Sequence, residues 1–285
     1  MNIDDLLAAA ALQLTRAGIE DSDLDARLLF QHLTAMTRSQ LVLHGRQSVD
    51  DRTIEQYRQL VVQRSQRIPL QYLTGSQEFW SLDFIVSPAV LIPRPETEFL
   101  LERVLAACPP GCGISSCLDL CTGSGVIAVV LAKELGCPVT AVDLSEAALA
   151  IAAINLNRHQ VAGQVTLVCG DLFAALNKSR KFDLIVSNPP YIADDQIDQL
   201  EPEVRAAEPY LALSGGPTGL GMIERIATKA AGYLNPGGWI FLEIGADQKN
   251  AVETLFRALR YDEVRVIDDW AGRPRVLQAR YARAN

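Results

Sequence analysis

Asn188-Pro189-Pro190-Tyr191 is the stretch whose residue types and order can do chemistry most directly. Two successive prolines fix two φ angles and remove two backbone donors. The first of them also pushes Asn188 toward an extended conformation. The result is a stiff corner showing one side-chain amide, free carbonyls and an aromatic face. A planar –NH2 group fits such a corner: the Asn188 carbonyl oxygen and the Pro189 carbonyl accept its two hydrogens, while Tyr191 lies on its plane. A bare Pro-Pro would read as a turn closing a strand. Here the tetrapeptide follows the apolar run Phe182-Asp183-Leu184-Ile185-Val186-Ser187, which reads as a buried strand. Open α/β sheets bind their ligands at strand carboxyl ends.

Three other strand ends carry polar chemistry. The first leads into Asp119-Leu120-Cys121-Thr122-Gly123-Ser124-Gly125, where two glycines permit a tight turn and close approach of a ligand to the backbone. With Ala128 the stretch fits G-x-G-x-x-A, a weak dinucleotide fingerprint on its own. The second ends at Asp143-Leu144, placing a carboxylate to accept from both hydroxyls of an adenosine ribose. The third ends at Gly170-Asp171-Leu172, where Asp171 could accept from an adenine amino group while Leu172 packs on the ring. Asp171 could equally cap the helix that follows. S-adenosylmethionine suits this set, because it has no phosphates and asks the loop only to accommodate its amino-acid moiety.

The elements that must position these residues are an alternating series. Strands are expected near 116–120, 139–143, 165–169, 182–187, 238–244, 263–268 and 275–281, with helices near 126–135, 145–158, 219–234 and 247–259. This is an α/β fold: a Rossmann-like seven-stranded, mostly parallel sheet. Only the turn Trp270-Ala271-Gly272-Arg273-Pro274 separates the last two strands, so they should pair antiparallel at one edge. Residues 1–75 read as a small helical bundle. Leu6, Leu7, Ala10, Leu14 and Ala17 repeat at helical spacing before Gly18. Ser22 with Asp25 resembles a capping box, and Asp50 or Asp51 opens a helix with Ile54, Tyr57, Leu60 and Val61. This segment holds no catalytic constellation, and either partner recognition or a structural cap would suit it. Residues 76–97 read as a β-hairpin, Glu78–Trp80 against Phe84–Val86, and a rigid linker. There Pro88, Pro93 and Pro95 keep the chain extended from Leu91 to Glu98. A helix over 98–107 then opens the third segment, 98–285.

Composition narrows the function classes. The chain has 285 residues, 49% hydrophobic and 21% charged, with a net charge of −8. Duplex nucleic acid is disfavoured as a partner, because phosphate neutralisation needs a basic stripe and the Lys and Arg residues are scattered. No apolar run is long enough to span a bilayer, and the amino terminus lacks signal-peptide features, so a cytoplasmic protein is expected. Cys108, Cys112, Cys117 and Cys121 lack paired C-x2-C spacing, and the histidines are dispersed. No metal site is therefore expected.

Asp119–Gly125, Asp143 and Asn188–Tyr191 resemble class I S-adenosylmethionine-dependent methyltransferases that act on planar amide or amino nitrogens. Pro69-Leu70-Gln71-Tyr72-Leu73-Thr74-Gly75, Glu78-Phe79-Trp80 and Leu91–Glu98 (LIPRPETE) narrow the resemblance to the PrmC/HemK family, the release-factor glutamine methyltransferases. It covers nearly the whole chain and is weakest over the first 60 residues. The resemblance implies a helical substrate-recognition domain joined by a hairpin to the methyltransferase domain; separately, a monomer is expected. The implied substrate is the glutamine of the Gly-Gly-Gln motif in peptide chain release factors. It also implies that Cys121, Thr122, Gly123, Ser124 and Gly125 line the methionine part of the cofactor. Asp143 and Leu144 would sit at the ribose, Asp171 and Leu172 at the adenine, and Asn188, Pro189, Pro190 and Tyr191 at the substrate glutamine, with Asn188 touching the cofactor as well. Cys121 stands where many members have glycine. Four alternatives remain at this point: a ribosomal-protein glutamine methyltransferase, a nucleic-acid adenine or guanine amino methyltransferase, a nicotinamide-dependent dehydrogenase, and a non-catalytic nucleotide-binding module.

Overall fold

The computed structural model of the chain describes residues 1–281. Two compact units divide it: Met1–Ser76 with Glu201–Ala207, and Gln77–Leu200 with the chain from Glu208 on.

In the first unit α1 (Ile3–Arg16) starts at Asn2, whose side chain accepts from the Asp5 amide at 2.8 Å. α2 (Ser22–Thr34) does not start as expected. Asp21 takes the cap position, the Ser22 hydroxyl pairs with that of Thr15 at 2.8 Å, and Asp25 is turned inward to Arg64 at 2.6 Å. A buried guanidinium demands a carboxylate partner more strongly than a helix end demands a second cap. The capping box lies instead at Thr37 and Gln40, opening α3 (Arg38–His44). α4 (Asp51–Ser65) begins at Asp50, which accepts from the Thr53 amide, and α5 (Leu70–Thr74) ends at left-handed Gly75. α3 and α5 have 7 and 5 residues, too few for a periodicity to stand out. Leu14, Leu29, Phe30 and Tyr57 fill the core, with the Phe30 and Tyr57 rings edge to face at 5.2 Å. Arg64 also meets Glu203, at 3.0 Å, on the short helix Pro202–Ala207, a return of the chain that no sequence signal announces.

In the second unit β1 (Ser76–Phe79) and β2 (Leu82–Ile85) form a hairpin. Its turn residues Trp80 and Ser81 both have φ of 56°, as a two-residue hairpin turn requires. Neither is glycine. Their amides donate to Glu98 Oε1 at 2.5 Å and to Glu78 Oε1 at 2.6 Å, which offsets the left-handed backbone. α6 (Pro95–Ala107) starts earlier than the expected Glu98, because Pro95 suits the first helical position, where its missing N–H costs nothing.

The remaining elements are β3 (Cys117–Leu120), α7 (Val126–Leu135), β4 (Val139–Asp143), α8 (Glu146–Arg158), β5 (Val165–Cys169), β6 (Phe182–Ser187), α9 (Asp194–Ile197), α10 (the Pro202–Ala207 helix), α11 (Tyr210–Leu213), α12 (Gly221–Ala230), β7 (Leu234–Glu243), α13 (Lys249–Ala258), β8 (Tyr261–Asp268) and β9 (Pro274–Tyr281). The sheet order is β5-β4-β3-β6-β7-β9-β8. β9 runs antiparallel to both β7 and β8, so the last two strands pair antiparallel at that edge as expected, with β9 inserted inside β8. β7 starts at Leu234 rather than near 238, because Leu234 pairs with Phe182 across a register shift; α12 accordingly stops at Ala230 instead of running to 234. Side-chain alternation splits the core. Leu184 and Val186 of β6 face Leu100, Val129 and Leu131 on one side, and Ile185 faces Ile226, Val252 and Phe256 on the other. No helix among the described residues is long and apolar enough to cross a membrane.

This order sets the site. The chain leaves β3 toward β4 on one side, while β6 lies on the other, so the loops after β3 and β6 diverge at a topological switch point. Leu120 is in register with Ser187, so the glycine loop and Asn188 emerge side by side.

Candidate active site

A single cavity opens at this switch point, lined by Cys121, Thr122, Gly123, Ser124, Asp143, Leu144, Asp171, Leu172, Asn188 and Pro190. Gly125, Pro189 and Tyr191 do not line it. Gly125 instead opens α7 at φ 83°, where a Cβ would stand 3.2 Å from that of Ala152, so its smallness serves helix packing.

The loop is held from below. Asp119 is fully buried and accepts from the Thr122 hydroxyl at 2.5 Å, which turns that hydroxyl inward. Burial pushes the Asp119 carboxyl up to about 8; the Thr122 bond opposes this and the charge of Asp143 reinforces it. Its Oδ1 has no hydrogen-bond partner among the described residues. Asp143 fastens the loop from the neighbouring strand: Oδ2 accepts from the Gly123 amide at 2.8 Å and Oδ1 from the Ser145 amide at 2.9 Å. Cys121 has φ of 60°, a conformation that glycine adopts at no steric cost. That is a backbone reason for the glycine which the resemblance places there.

At the end of β5, Asp171 caps nothing with its side chain. Its carboxylate pairs with Arg225 at 2.6 Å, both half-exposed, so the capping alternative does not hold. Leu172 is buried against the cavity, and Leu144 stands exposed at its rim.

The corner after β6 differs most from expectation. Asn188 lines the cavity and donates from Nδ2 to the Thr97 hydroxyl at 2.9 Å. Its Oδ1 accepts no hydrogen bond from the described residues. Tyr191 is turned away from the cavity, so its ring is not the stacking face that the tetrapeptide suggests. Its hydroxyl bonds to Glu243 Oε1 at 3.1 Å and its carbonyl accepts from Gln248 Nε2 at 2.8 Å. The ring packs with the core under the sheet's carboxyl edge, where an apolar aromatic body is better buried. Glu243 is 1% exposed and also accepts from Thr97 at 2.7 Å. Burial raises its carboxyl above the usual glutamate range, opposed by Thr97, Arg275 and Tyr191.

Sequence reasoning missed Thr97, Glu243, Arg94, Glu208 and Met222. Arg94 lines the cavity and pairs with buried Glu208 at 2.5 Å; Glu208 Oε2 also accepts from the Ile92 amide. Thr97 and Arg94 lie inside LIPRPETE, so the segment was singled out while its contacts were not. Glu243 carries one available signal, a carboxylate ending an apolar strand. Among the described residues no group of three or more His, Cys, Asp or Glu is placed to hold a metal; Cys117 and Cys137 adjoin with sulfurs 3.3 Å apart.

Comparison with known proteins bears on the family and the fold. Residues 5–75 match the family described as the PrmC N-terminal domain, and residues 95–218 match the methyltransferase small domain. The release factor glutamine methyltransferase of Moorella thermoacetica is 42% identical over 98% of this chain and 98% of its own. That of Salmonella typhimurium is 39% identical over 92% of this chain and 95% of its own. Among solved structures, a methyltransferase from Pyrococcus furiosus superposes with a TM-score of 0.56 at 24% identity, covering 78% of this chain and 99% of that one. A 16S rRNA N2 G1207 methyltransferase from Thermus thermophilus gives a TM-score of 0.52 at 21% identity, over 72% and 49%. The structural likeness establishes the class I methyltransferase fold. The relatives of near-equal length go further, and on their evidence the chain belongs to the release factor glutamine methyltransferases.

Proposed function

We propose that this chain transfers a methyl group from S-adenosylmethionine to the side-chain amide nitrogen of the glutamine in the Gly-Gly-Gln motif of a peptide chain release factor. The carrying observation is Asn188: a cavity-lining amide tied back through Nδ2, with Oδ1 left as an acceptor. It shares its cavity with the glycine loop and Asp143.

The residues fit the cofactor. The left-handed backbone at Cys121 and Gly123 leaves room for a close ligand, with no atom within 4 Å of where a Gly123 Cβ would stand. Asp143 offers acceptor oxygens for a diol, and Leu172 an apolar wall. Cys121–Ser124 would hold the amino-acid part, Asp143 and Leu144 the ribose, and Asp171 and Leu172 the adenine. When bound, S-adenosylmethionine supplies an electrophilic sulfonium methyl.

The protein's part is orientation. An amide nitrogen is a weak nucleophile, because its lone pair is delocalised into the carbonyl. Asn188 Oδ1, the acceptor that reaches the cavity, accepts from the substrate –NH2 and aims the nitrogen. This bond strengthens as positive charge develops on nitrogen, since charge-assisted bonds are about twice as strong as neutral ones. No covalent intermediate is needed, and the proton leaves to water. The first unit, which has no catalytic constellation, serves to recognise the protein substrate. The enzyme works as a cytoplasmic monomer without binding nucleic acid.

Incubation with purified release factor and S-adenosylmethionine, followed by peptide mass mapping, should show a one-methyl gain on that glutamine and none on DNA or rRNA. Asn188→Ala should lower turnover by about 100-fold or more while cofactor binding persists. Near-normal turnover in that variant would remove Asn188 from the mechanism.

A further inference from the structure

Asn188 can present either end of its side-chain amide to the cavity, and only Oδ1 can accept from a substrate –NH2. Two residues far away in sequence decide which end it is. The Thr97 hydroxyl, in the first turn of α6, accepts from Asn188 Nδ2 at 2.9 Å and donates to Oε2 of Glu243, the last residue of β7, at 2.7 Å. The other Glu243 oxygen accepts from the Tyr191 hydroxyl at 3.1 Å. Thr97 is 3% and Glu243 1% exposed, so bulk water does not compete for these bonds.

A hydroxyl has one proton. A Glu243 carboxylate only accepts, so it takes that proton from Thr97 and leaves Thr97 with lone pairs alone to offer Asn188. Nδ2 must then face Thr97, and Oδ1 faces the substrate. A protonated Glu243 can instead donate to Thr97, whose own proton then turns to Asn188 Oδ1 and draws the acceptor away from the cavity. We infer that Thr97 and Glu243 are positioning residues: a one-way chain of hydrogen bonds from Asn188 through Thr97 to the Glu243 carboxylate keeps Oδ1 aimed at the methyl-accepting amide. The inference rests on the reading that Asn188 meets that amide.

The groups facing Glu243 come from three elements: Thr97 and Glu96 on α6, Tyr191 after β6, and Arg275 on β9, whose Nη1 reaches the Tyr191 hydroxyl at 3.5 Å. Arg275 favours the carboxylate; burial and Glu96 favour the acid, and the net displacement is upward. Activity should therefore fall on the acid side as pH drops through that raised value.

The test is single-turnover methylation of intact release factor by Thr97→Val, Thr97→Ser, Glu243→Gln and Asn188→Ala, from about pH 5 to about pH 9. Thr97→Val is isosteric and should lose about 10- to 100-fold, in kcat rather than KM, and lose the acid limb. Thr97→Ser restores the hydroxyl, so it should stay within about threefold of wild type and keep the limb. Glu243→Gln presents a donor as well as an acceptor, and should be slow without an acid limb. Wild-type rates in Thr97→Val, or a Thr97→Ser as slow as Thr97→Val, overturn the inference, the latter showing that filled space rather than the hydroxyl matters. If Asn188→Ala is inactive while Thr97→Val is fully active, this inference alone fails. If Asn188→Ala is active, the reading beneath it fails too.

Discussion

Asp143 shows how one side chain can shape a ligand site before any ligand contact is made. Its two oxygens accept from amides on both flanks, Gly123 in the glycine loop and Ser145 at the start of α8. A carboxylate suits this because both oxygens are acceptors. Asp143→Asn must turn an –NH2 toward one of those N–H groups, which pushes the loop or the strand end aside. Bonds to charged groups are worth about 1.5–3 kcal/mol, so the dissociation constant for S-adenosylmethionine should rise about tenfold or more. Calorimetric titration measures this directly, and an unchanged affinity would show that the loop does not depend on Asp143. The residue type and its place at a strand end were legible in sequence. Its bonds to two amides were not, because they depend on how far the β3 loop folds back over β4.

At the scale of elements, the corner after β6 is held by the loop that precedes α12. Ile192 exchanges backbone bonds with Leu213 and Gly215, and Gln248 bonds to the carbonyls of both Tyr191 and Gly219. Gly219 has φ of 71°, and a Cβ there would lie 2.4 Å from the Tyr191 oxygen. Gly136 ends α7 at φ 65° with nothing within 4 Å. Both positions favour glycine conformationally, but only Gly219 lacks space. Gly219→Ala should therefore cost about 1–3 kcal/mol in urea unfolding and lower turnover, by shifting the corner. Gly136→Ala should cost about 1 kcal/mol, the left-handed penalty alone, with turnover unchanged. Equal effects on turnover would mean that the Gly219 contact does not support the corner.

At the scale of the molecule, the buried carboxyls make stability depend on pH. Asp119 shifts from 3.8 in ordinary surroundings to about 8 through burial. A raised carboxyl means that the folded chain holds a proton the unfolded chain releases. Its contribution is complete below the unfolded value and is lost as pH rises through the folded one. Wild-type stability should thus decline from about pH 4 to about pH 8 relative to Asp119→Asn, which keeps an acceptor for Thr122 and cannot ionise. Urea midpoints at both ends of that window test the sign; parallel curves would show that Asp119 stays charged in the fold.

The alternation of strands and helices, the glycine loop, Asp143 and the Asn188 corner were all determined by sequence alone, because each is local. Apolar periodicity marks a strand, and the residue after it falls at the sheet's carboxyl edge wherever that strand lies. The LIPRPETE segment likewise pointed to the family. Tertiary structure alone decided what depends on residues meeting from distant parts of the chain. Thr97 and Glu243 stand 146 positions apart, and Thr97 and Asn188 stand 91 apart. Pairing across the sheet also carried β7 back to Leu234 through an Asn-Pro-Gly-Gly stretch that reads as a turn. The direction of Tyr191 was decided in the same way: sequence supplied an aromatic ring beside two prolines, and the buried Glu243 carboxylate beneath the sheet edge drew its hydroxyl down and away from the cavity.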